Sequence, residues 1–497
     1  MPFVAAPDAA RSAVVDLGSN SVRLVVFEGS GRNPVQIFNE KAVLRLGRGL
    51  QTTGRLNDEA VEQAFLVMSR YAAIARAMGA APFEVLATAA VRDAENGAAF
   101  VAGLRARMPG VPIHIIAGEE EATLSADGVL CGIPNAEGVL ADLGGGSVEL
   151  VRLHAGGAAQ AASTSLGAIR LAERAGHDSI RARAIAEEEL SRVAWLGAAP
   201  GGDLYLVGGA FRALARIHIA QTSYPLSLVH HYTIGRDEAR DLTGVIAAAS
   251  RRVLEKMPGA PRRRLDDLPF AAIVMRRILR ATGARRVVFS ANGLREGWYM
   301  RRIPAAIRAE DPLLAAGRDF ARHLSRDPSL PPALIDWTDT LFPNEFGEAR
   351  RLRAAACWVS DIGSHDHPEY RAQQAFRRIL TQPGTGLDHH ARAFLGVTLA
   401  LRYDAEPEAP YLAPISVLLS PDAMRRATVL GIALRLAYTL SAGTPDLLAG
   451  TALRFGPRLT LLLAEGSGVF AGESVTRRLD RLAEALGVPA GTEKMAG

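Results

Sequence analysis

Up to Ile303 the chain sets short apolar runs between glycine- and serine-rich turns; beyond it, long stretches carry apolar residues at helical spacing. Arg11–Glu28 reads as a strand, a tight turn at Gly18-Ser19-Asn20-Ser21 and a returning β-branched strand. Asn57–Met78 is predicted helical behind a cap at Asn57 or Asp58, and Asp93–Arg107 is predicted helical as well. Phe83–Ala87 and Pro112–Ile116 read as strands. Glu119–Val129 reads as a helix whose acidic first turn suits the positive end of its dipole. The order then recurs. Gly138–Leu143 is a strand, Gly144-Gly145-Gly146-Ser147 a turn, and Val148–Leu153 the returning strand. Leu204–Val207 and Arg285–Ser290 follow as strands, with helices over Phe211–Ile219 and Leu294–Ile303. Each half therefore opens with strand, turn and strand, and the turn follows Asp-Leu-Gly both times, at Asp16 and at Asp142. That echo predicts a duplicated α/β unit with a cleft between its halves.

After Ile303, Pro304, Pro312, Pro328, Pro331 and Pro332 suggest a linker and an entry segment. Glu348–Val359, Glu369–Leu380, His389–Arg402, Asp422–Leu440 and Ser474–Leu486 read as helices, and Leu459–Leu463 as a candidate strand. With 497 residues the chain is too long for one core. The expected division is an α/β lobe over 1–130, a second over 131–303, and a helical region over 304–497 that could split again near 405–440.

Composition narrows the class. No apolar run is long and charge-free enough to span a bilayer, and Met1–Arg11 lacks the basic start and apolar stretch of a leader. Cytoplasmic location is the default, with no membrane or nucleic-acid partner expected. Cys131 and Cys357 lie far apart and form no metal or disulfide pattern. Net charge is +5, carried almost entirely by arginine, since Lys41, Lys256 and Lys494 are the only lysines. Residues up to 303 hold 36 basic against 30 acidic side chains, and the remainder 21 against 22. The positive balance thus belongs to the motif-bearing part. Arginine suits phosphate, although a general arginine bias would explain the excess as well.

The two Asp-Leu-Gly turns carry the strongest chemical signal. A Gly/Ser turn between strands offers several backbone N–H groups to an anion with no side chain in the way. The leading carboxylates, Asp16 and Asp142, make sense beside Mg²⁺, which takes one or two carboxylates together with phosphate oxygens. One such turn would be an ordinary hairpin; two with the same opening favour a phosphate cleft. Gly208-Gly209 is a third possible nest, and Ser290–Gly297 a strand-to-helix turn that could line the cleft or simply cap a helix at Asn292. Arg92 follows a strand end, where a solvated helix-start arginine would look the same. Glu121 could activate water as a carboxylate that does not bind the metal.

Together these stretches resemble the exopolyphosphatase / guanosine pentaphosphate phosphatase family, within the actin–hexokinase–chaperone ATPase superfamily. The matching blocks are Asp16–Leu24, Ala87–Asn96, Ala117–Ala122, Asp142–Leu150, Ser165–Leu171, Gly208–Ala215 and Ser290–Gly297, in family order over residues about 12–303. The resemblance implies a two-lobed ribonuclease-H-like α/β core with an interlobe cleft. Ser19, Asn20 and Arg92 would hold substrate phosphate. Gly144, Gly145, Gly146 and Ser147 would cradle the terminal phosphate, with Gly208 and Gly209 as a further loop. Glu121 matches the water-activating glutamate, and Arg92, Asp142 and Glu149 complete the implied catalytic set. Asp16, Asp142 and Glu149 are the implied Mg²⁺ carboxylates, with K⁺ activation left open. Ala210 departs from the family's threonine, which puts a hydroxyl contact in doubt. The implied activity is release of terminal phosphate from inorganic polyphosphate by a homodimer. Alternatives are hydrolysis of guanosine pentaphosphate (pppGpp), an ATP-dependent kinase and a non-catalytic polyphosphate-binding module.

The C-terminal region resembles the family's all-α extension, akin to HD-type phosphohydrolases. An intact HD site would read His-Asp where this chain has Ser360-Asp361. Asp361, His365, Asp366 and His367 cluster nearby, and a relic without metal is expected; His389-His390 reads as surface or as part of a basic contact. Of the paired arginines at Arg350-Arg351 with Arg353, Arg377-Arg378, Arg425-Arg426 and Arg477-Arg478, a subset is expected to line a groove for the distal part of a long polyanion, the rest being solvated surface; the alternative is a region that only dimerises the protein or stabilises its core.

Overall fold

The computed structural model describes residues 10–198, 201–384, 386–466 and 471–495. Residues 1–9, on which most of the leader argument rests, lie outside them. The chain forms two compact units, one ending at Ala309 and the other beginning at Glu310.

The first unit is built on two sheets of matching connectivity. β1 (Arg11–Leu17), β2 (Ser21–Glu28), β3 (Val35–Val43), β4 (Phe83–Ala87) and β5 (Ile113–Ile115) form a sheet ordered β3-β2-β1-β4-β5. β6 (Gly138–Leu143), β7 (Val148–His154), β8 (Gly157–Thr164), β9 (Asp203–Val207), β10 (Tyr232–Gly235) and β11 (Arg286–Phe289) form the other. Its order is β8-β7-β6-β9-β11-β10, so only the antiparallel edge strand β10 is additional. In both sheets the first strand pairs antiparallel with the second and parallel with the strand that follows the hairpin. Both leading strands bury continuous apolar runs, Ala13 to Val15 in one and Val139 to Ala141 in the other, as strands covered on both faces do.

The helix Asp58–Ala77 is capped by Asn57, whose side chain accepts from the Ala60 N–H at 3.0 Å. The single helix expected over Asp93–Arg107 is instead two, Ala89–Asp93 and Gly97–Arg107. Gly97 marks the break, packed so closely that a Cβ would sit 2.0 Å from the Val91 carbonyl oxygen.

The second unit is helical, with a small sheet ordered β12-β13-β14 added to it. β12 is Thr451–Phe455, β13 Leu459–Leu463 and β14 Ala490–Lys494. The sheet departs from an all-helical region; β12 pairs antiparallel with β13, and β14 lies parallel on its other side. The proline-rich entry segment is not a linker throughout. Pro312 and Pro331 lie in the first turns of the helices Pro312–Leu324 and Leu330–Thr338, where a missing N–H costs nothing.

Most of the paired arginines are spent on partners within this unit, which argues against the groove reading for them. Arg353 is 1% exposed and binds Glu345 and Asp339. Arg351 binds Asp311, Arg378 binds Asp366, Arg426 binds Glu345, and Arg425 binds Asp422. At the HD-like position, both oxygens of buried Asp361 accept from Arg326, at 2.9 and 3.0 Å, and Arg402 adds a contact at 3.3 Å. Arg402 also lies over the Tyr438 ring at 3.6 Å. Asp361 is therefore the anchor of an arginine cluster. His389, expected at the surface, is buried.

Candidate active site

The two Asp-Leu-Gly turns meet at one cavity of about 150 Å³ in the first unit. Gly18 N–H donates to the Ser21 carbonyl, closing the first turn, and Gly144 N–H donates to the Ser147 carbonyl, closing the second. A Cβ on Gly145 would lie 3.2 Å from the Ser19 Cβ, and one on Gly146 3.0 Å from the Ser19 hydroxyl. Glycine is needed in the second turn for the first to approach it.

The second turn is held from behind. The N–H groups of Ala168, Ile169 and Arg170, at the start of the helix Ala168–Ala175, donate to the Gly144 and Gly145 carbonyls at 3.1 Å. Gly167 precedes them, and a Cβ there would come within 2.3 Å of the Gly146 backbone. With its carbonyls bound to a helix N-terminus, the turn can present N–H groups to an anion in the cavity. The Gly208-Gly209 turn abuts the same loop: Gly208 has φ +106°, and a Cβ would lie 2.3 Å from the Leu143 carbonyl oxygen.

Four carboxylates stand near these loops. Glu121 lies in the first turn of the helix Gly118–Gly132, and its Oε2 is buried with no hydrogen-bond partner. Arg92 Nη1 approaches that oxygen at 3.6 Å while donating to the Ile116 carbonyl at 2.9 Å. Burial holds the Glu121 carboxyl well above the usual range, and Glu149, Asp142 and Asp16 push it further the same way. Burial also raises Asp16, against the pull of Arg295 and Arg23, and raises Asp142, against a hydroxyl donated by Ser125. Glu149 is pushed up to about 7 by burial and then by Asp142, opposed by hydroxyl donors on Ser147 and Ser163.

Of the residues expected from sequence, Asp16, Ser19, Asn20, Glu121, Asp142, Gly144, Gly145, Gly146, Ser147, Gly208 and Gly209 line the cavity. Arg92 and Glu149 do not. Arg92 is turned to Glu121 and Asp93. Glu149 sits behind the cavity as the cross-strand partner of Asp142. Asp16, Asp142 and Glu149 accordingly do not converge as one ligand set; no group of three or more such side chains does so among the described residues. Ala210 is buried in the apolar core, so a residue there contributes no wall to the cavity.

The sequence reading missed the cations. Arg23, Lys41, Arg212, Arg264 and Arg295 all line the cavity, with Asp267 beside Arg264. Arg212 and Arg295 lie inside motif blocks already singled out, and Arg23 is directly across the first hairpin from Asp16. A lysine at position 41 in so arginine-dominated a chain was the one further signal. Arg264 offered none.

A model of the Ppx/GppA phosphatase family matches residues 24–306, and one of the exopolyphosphatase C-terminal region matches 313–491. Exopolyphosphatase 2 of Mycobacterium tuberculosis is 35% identical over 177 residues, 34% of this chain, and the match spans 55% of that relative's length. Exopolyphosphatase 1 of Mycobacterium bovis is 28% identical over 59% of this chain and 88% of its own. A crystal structure of an exopolyphosphatase from Cytophaga hutchinsonii superposes with a TM-score of 0.53 at 23% identity, over 58% of this chain and 96% of that one. It has the same α/β fold.

Proposed function

The chain belongs to the Ppx/GppA phosphatase family, and we propose that it is an exopolyphosphatase, releasing the terminal phosphate of inorganic polyphosphate by direct attack of water. The observation that carries this reading is the buried Oε2 of Glu121, free of hydrogen bonds and 3.6 Å from Arg92, on the wall of a cavity formed by two facing Gly/Ser turns.

In this reading Gly144–Ser147 and Ser19-Asn20 hold the terminal phosphoryl group through N–H and hydroxyl donors. Glu121 accepts a proton from the attacking water; burial and neighbouring carboxylates strengthen it as a base. Arg92 orients Glu121, and Glu149 holds the second turn through Ser147. No covalent intermediate is needed, since phosphoryl transfer to water depends chiefly on positioning and charge neutralisation. The donor set suits Mg²⁺: Asp16 and Asp142 are hard oxygen ligands on the cavity wall, and a cation held by one or two carboxylates needs substrate oxygens to complete it. Bound there, Mg²⁺ would neutralise phosphate charge, and it would relieve the mutual repulsion of the carboxylates. The two sheets, matching over five strands each, make a ribonuclease-H-like core of two lobes the natural description, with divisions near 130 and 303. A homodimer and a cytoplasmic location belong to the same proposal.

The test is orthophosphate release, with and without EDTA, from long polyphosphate, pppGpp and ATP in parallel. Mg²⁺-dependent release fastest from polyphosphate supports the reading. Preference for pppGpp would reassign the substrate, and no release from any of the three would overturn the hydrolase.

A further inference from the structure

Asp93 is the last residue of the helix Ala89–Asp93, and its place is fixed from outside that helix. Gly97, packed on the Val91 carbonyl, enforces the break that follows. The Asn96 side chain then accepts from the Leu56 N–H at 2.8 Å and donates to the Leu56 carbonyl at 3.2 Å. A carboxylate at a helix C-terminus gains nothing from the dipole. What Asp93 does gain is two arginines: Oδ1 faces Arg92 Nε at 3.4 Å, and Oδ2 accepts from Arg170 Nη2 at 2.6 Å.

The second of these contacts crosses between the lobes. Arg170 belongs to the helix Ala168–Ala175, whose first N–H groups hold the phosphate turn from behind, and its own N–H donates to the Gly145 carbonyl at 3.1 Å. Its guanidinium runs past the same turn: a Cβ on Gly146 would lie 3.7 Å from Nη2. Arg170 is 9% exposed, and among the described residues Asp93 is the one carboxylate within 4.0 Å of it. Glu173, three residues on and so on the same face, also reaches the first lobe, where its Oε1 accepts the Gly49 N–H at 3.1 Å. The helix behind the phosphate turn is thus tied across the cleft by two side chains.

On its other side Asp93 meets Arg92, which stands 3.6 Å from the buried Oε2 of Glu121. One carboxylate therefore joins an arginine set against Glu121 to an arginine bound into the turn Gly144–Ser147. Its loss would strand the buried Arg170 charge beside Gly146 and leave Arg92 with one acidic neighbour in place of two.

We infer that Asp93 is a positioning residue. Through Arg92 and Arg170 it holds Glu121 in register with the phosphate turn, and so fixes the base relative to the phosphoryl group under attack. The inference rests on the proposed roles of Glu121 and of Gly144–Ser147.

The experiment compares full-length wild type, Asp93→Asn, Arg170→Gln, the double variant and Glu189→Gln on long polyphosphate with Mg²⁺, each beside its melting curve. Glu189→Gln is the control, because it breaks an ion pair of the same helix, to Arg174 at 2.9 Å, that stays within one lobe. A displacement of about 1 Å in a reacting geometry costs on the order of 10²-fold, so Asp93→Asn should lower kcat at least tenfold. Its kcat/KM should fall in the same proportion, leaving KM unchanged. The double variant should be no slower than the slower single one, since the two residues act as a unit. Glu189→Gln should lower the melting temperature and leave kcat unchanged. Wild-type kcat in Asp93→Asn, losses that multiply in the double variant, or an equal loss of kcat in Glu189→Gln each overturn the inference. Hydrogen–deuterium exchange reads the link without turnover: exchange of the 168–170 amides should rise in Asp93→Asn, and unchanged exchange also overturns it. Asp93→Asn is nearly isosteric at a site one-third exposed, so these two readings decide the matter even if Arg170→Gln fails to fold. If wild type releases no phosphate from polyphosphate while the exchange pattern holds, the hydrolase reading falls and the link between the lobes stands.

Discussion

Arg23 and Glu149 occupy equivalent positions in the two lobes. Each lies directly across its hairpin from the aspartate that opens the turn, Arg23 from Asp16 and Glu149 from Asp142. The duplicated hairpins therefore differ at one chemically decisive place, a cation in one lobe and a carboxylate in the other. Both leading aspartates nevertheless have cations beside them, Arg295 and Arg23 near Asp16 and Arg212 near Asp142, whereas Glu121 faces Glu149, Asp142 and Asp16.

Glu121→Gln should lower kcat by about 10²–10⁴-fold, the usual contribution of a general base, while polyphosphate binding is kept or tightened. Phosphate release and calorimetry on the same preparation check this. A near-normal rate would remove Glu121 from the mechanism.

The sequence made the inner hairpins, β1 with β2 and β6 with β7, readable because their buried faces are continuous apolar runs. It did not reveal β3, whose residues are all half-buried or exposed, nor the alanine-rich β8. Both exist because a neighbouring strand offers them a ladder, and that is tertiary information. The prolines after Ile303 suggest a linker and an entry segment, yet Pro312 and Pro331 lie in the first turns of helices, and only position within the helix separates the two outcomes. In the site, the carboxylates and glycine turns were legible because each stands in a short ordered motif. Lys41, Arg212 and Arg264 come from a strand, a helix and a turn far apart in sequence, and arginine is too common here for any one to stand out.

Asp361→Ala should destabilise the second unit by about 3–5 kcal/mol, the usual cost of breaking a buried ion pair from one side. The carboxylate is 3% exposed, and its removal strands Arg402 against Tyr438 and Tyr403. Thermal and urea unfolding measure this. A wild-type midpoint would mean that the cluster contributes nothing to stability.

Gly167→Ala touches no substrate yet should lower kcat/KM at least tenfold. The added methyl meets the backbone of Gly145 and Gly146 at 2.3–2.4 Å, so the phosphate turn itself must move, and displacements of about 1 Å in a reacting geometry cost on the order of 10²-fold. Steady-state kinetics beside a melting curve separates a displaced turn from an unfolded protein. Unchanged kcat/KM in a folded variant would show that the turn's position is not critical.

Glu149→Gln should inactivate the enzyme while stabilising it above neutral pH. In the folded protein burial and Asp142 push the Glu149 carboxyl up to about 7, from an ordinary value of 4.5. A carboxyl raised in this way binds a proton more tightly in the native than in the unfolded state. Its stabilising contribution is therefore complete below about 4.5 and is lost as pH rises through about 7. At pH 8 the ionised group opposes folding, by up to about 3 kcal/mol from the size of the shift, less whatever is shared with Asp142. Glutamine keeps the shape and a hydrogen-bonding oxygen for Ser163, whose hydroxyl now donates to Glu149 at 3.0 Å, but carries no charge at any pH. The melting temperature of the variant should accordingly exceed that of wild type at pH 8 and converge with it at pH 5, both measured in EDTA. Activity should fall at pH 8, where the negative charge behind Asp142 is removed along with the repulsion, and differ little at pH 5, where the wild-type carboxyl already carries its proton. A variant that melts at the wild-type temperature at pH 8 would mean that Glu149 is not held in the strained, charged state that its burial beside Asp142 implies.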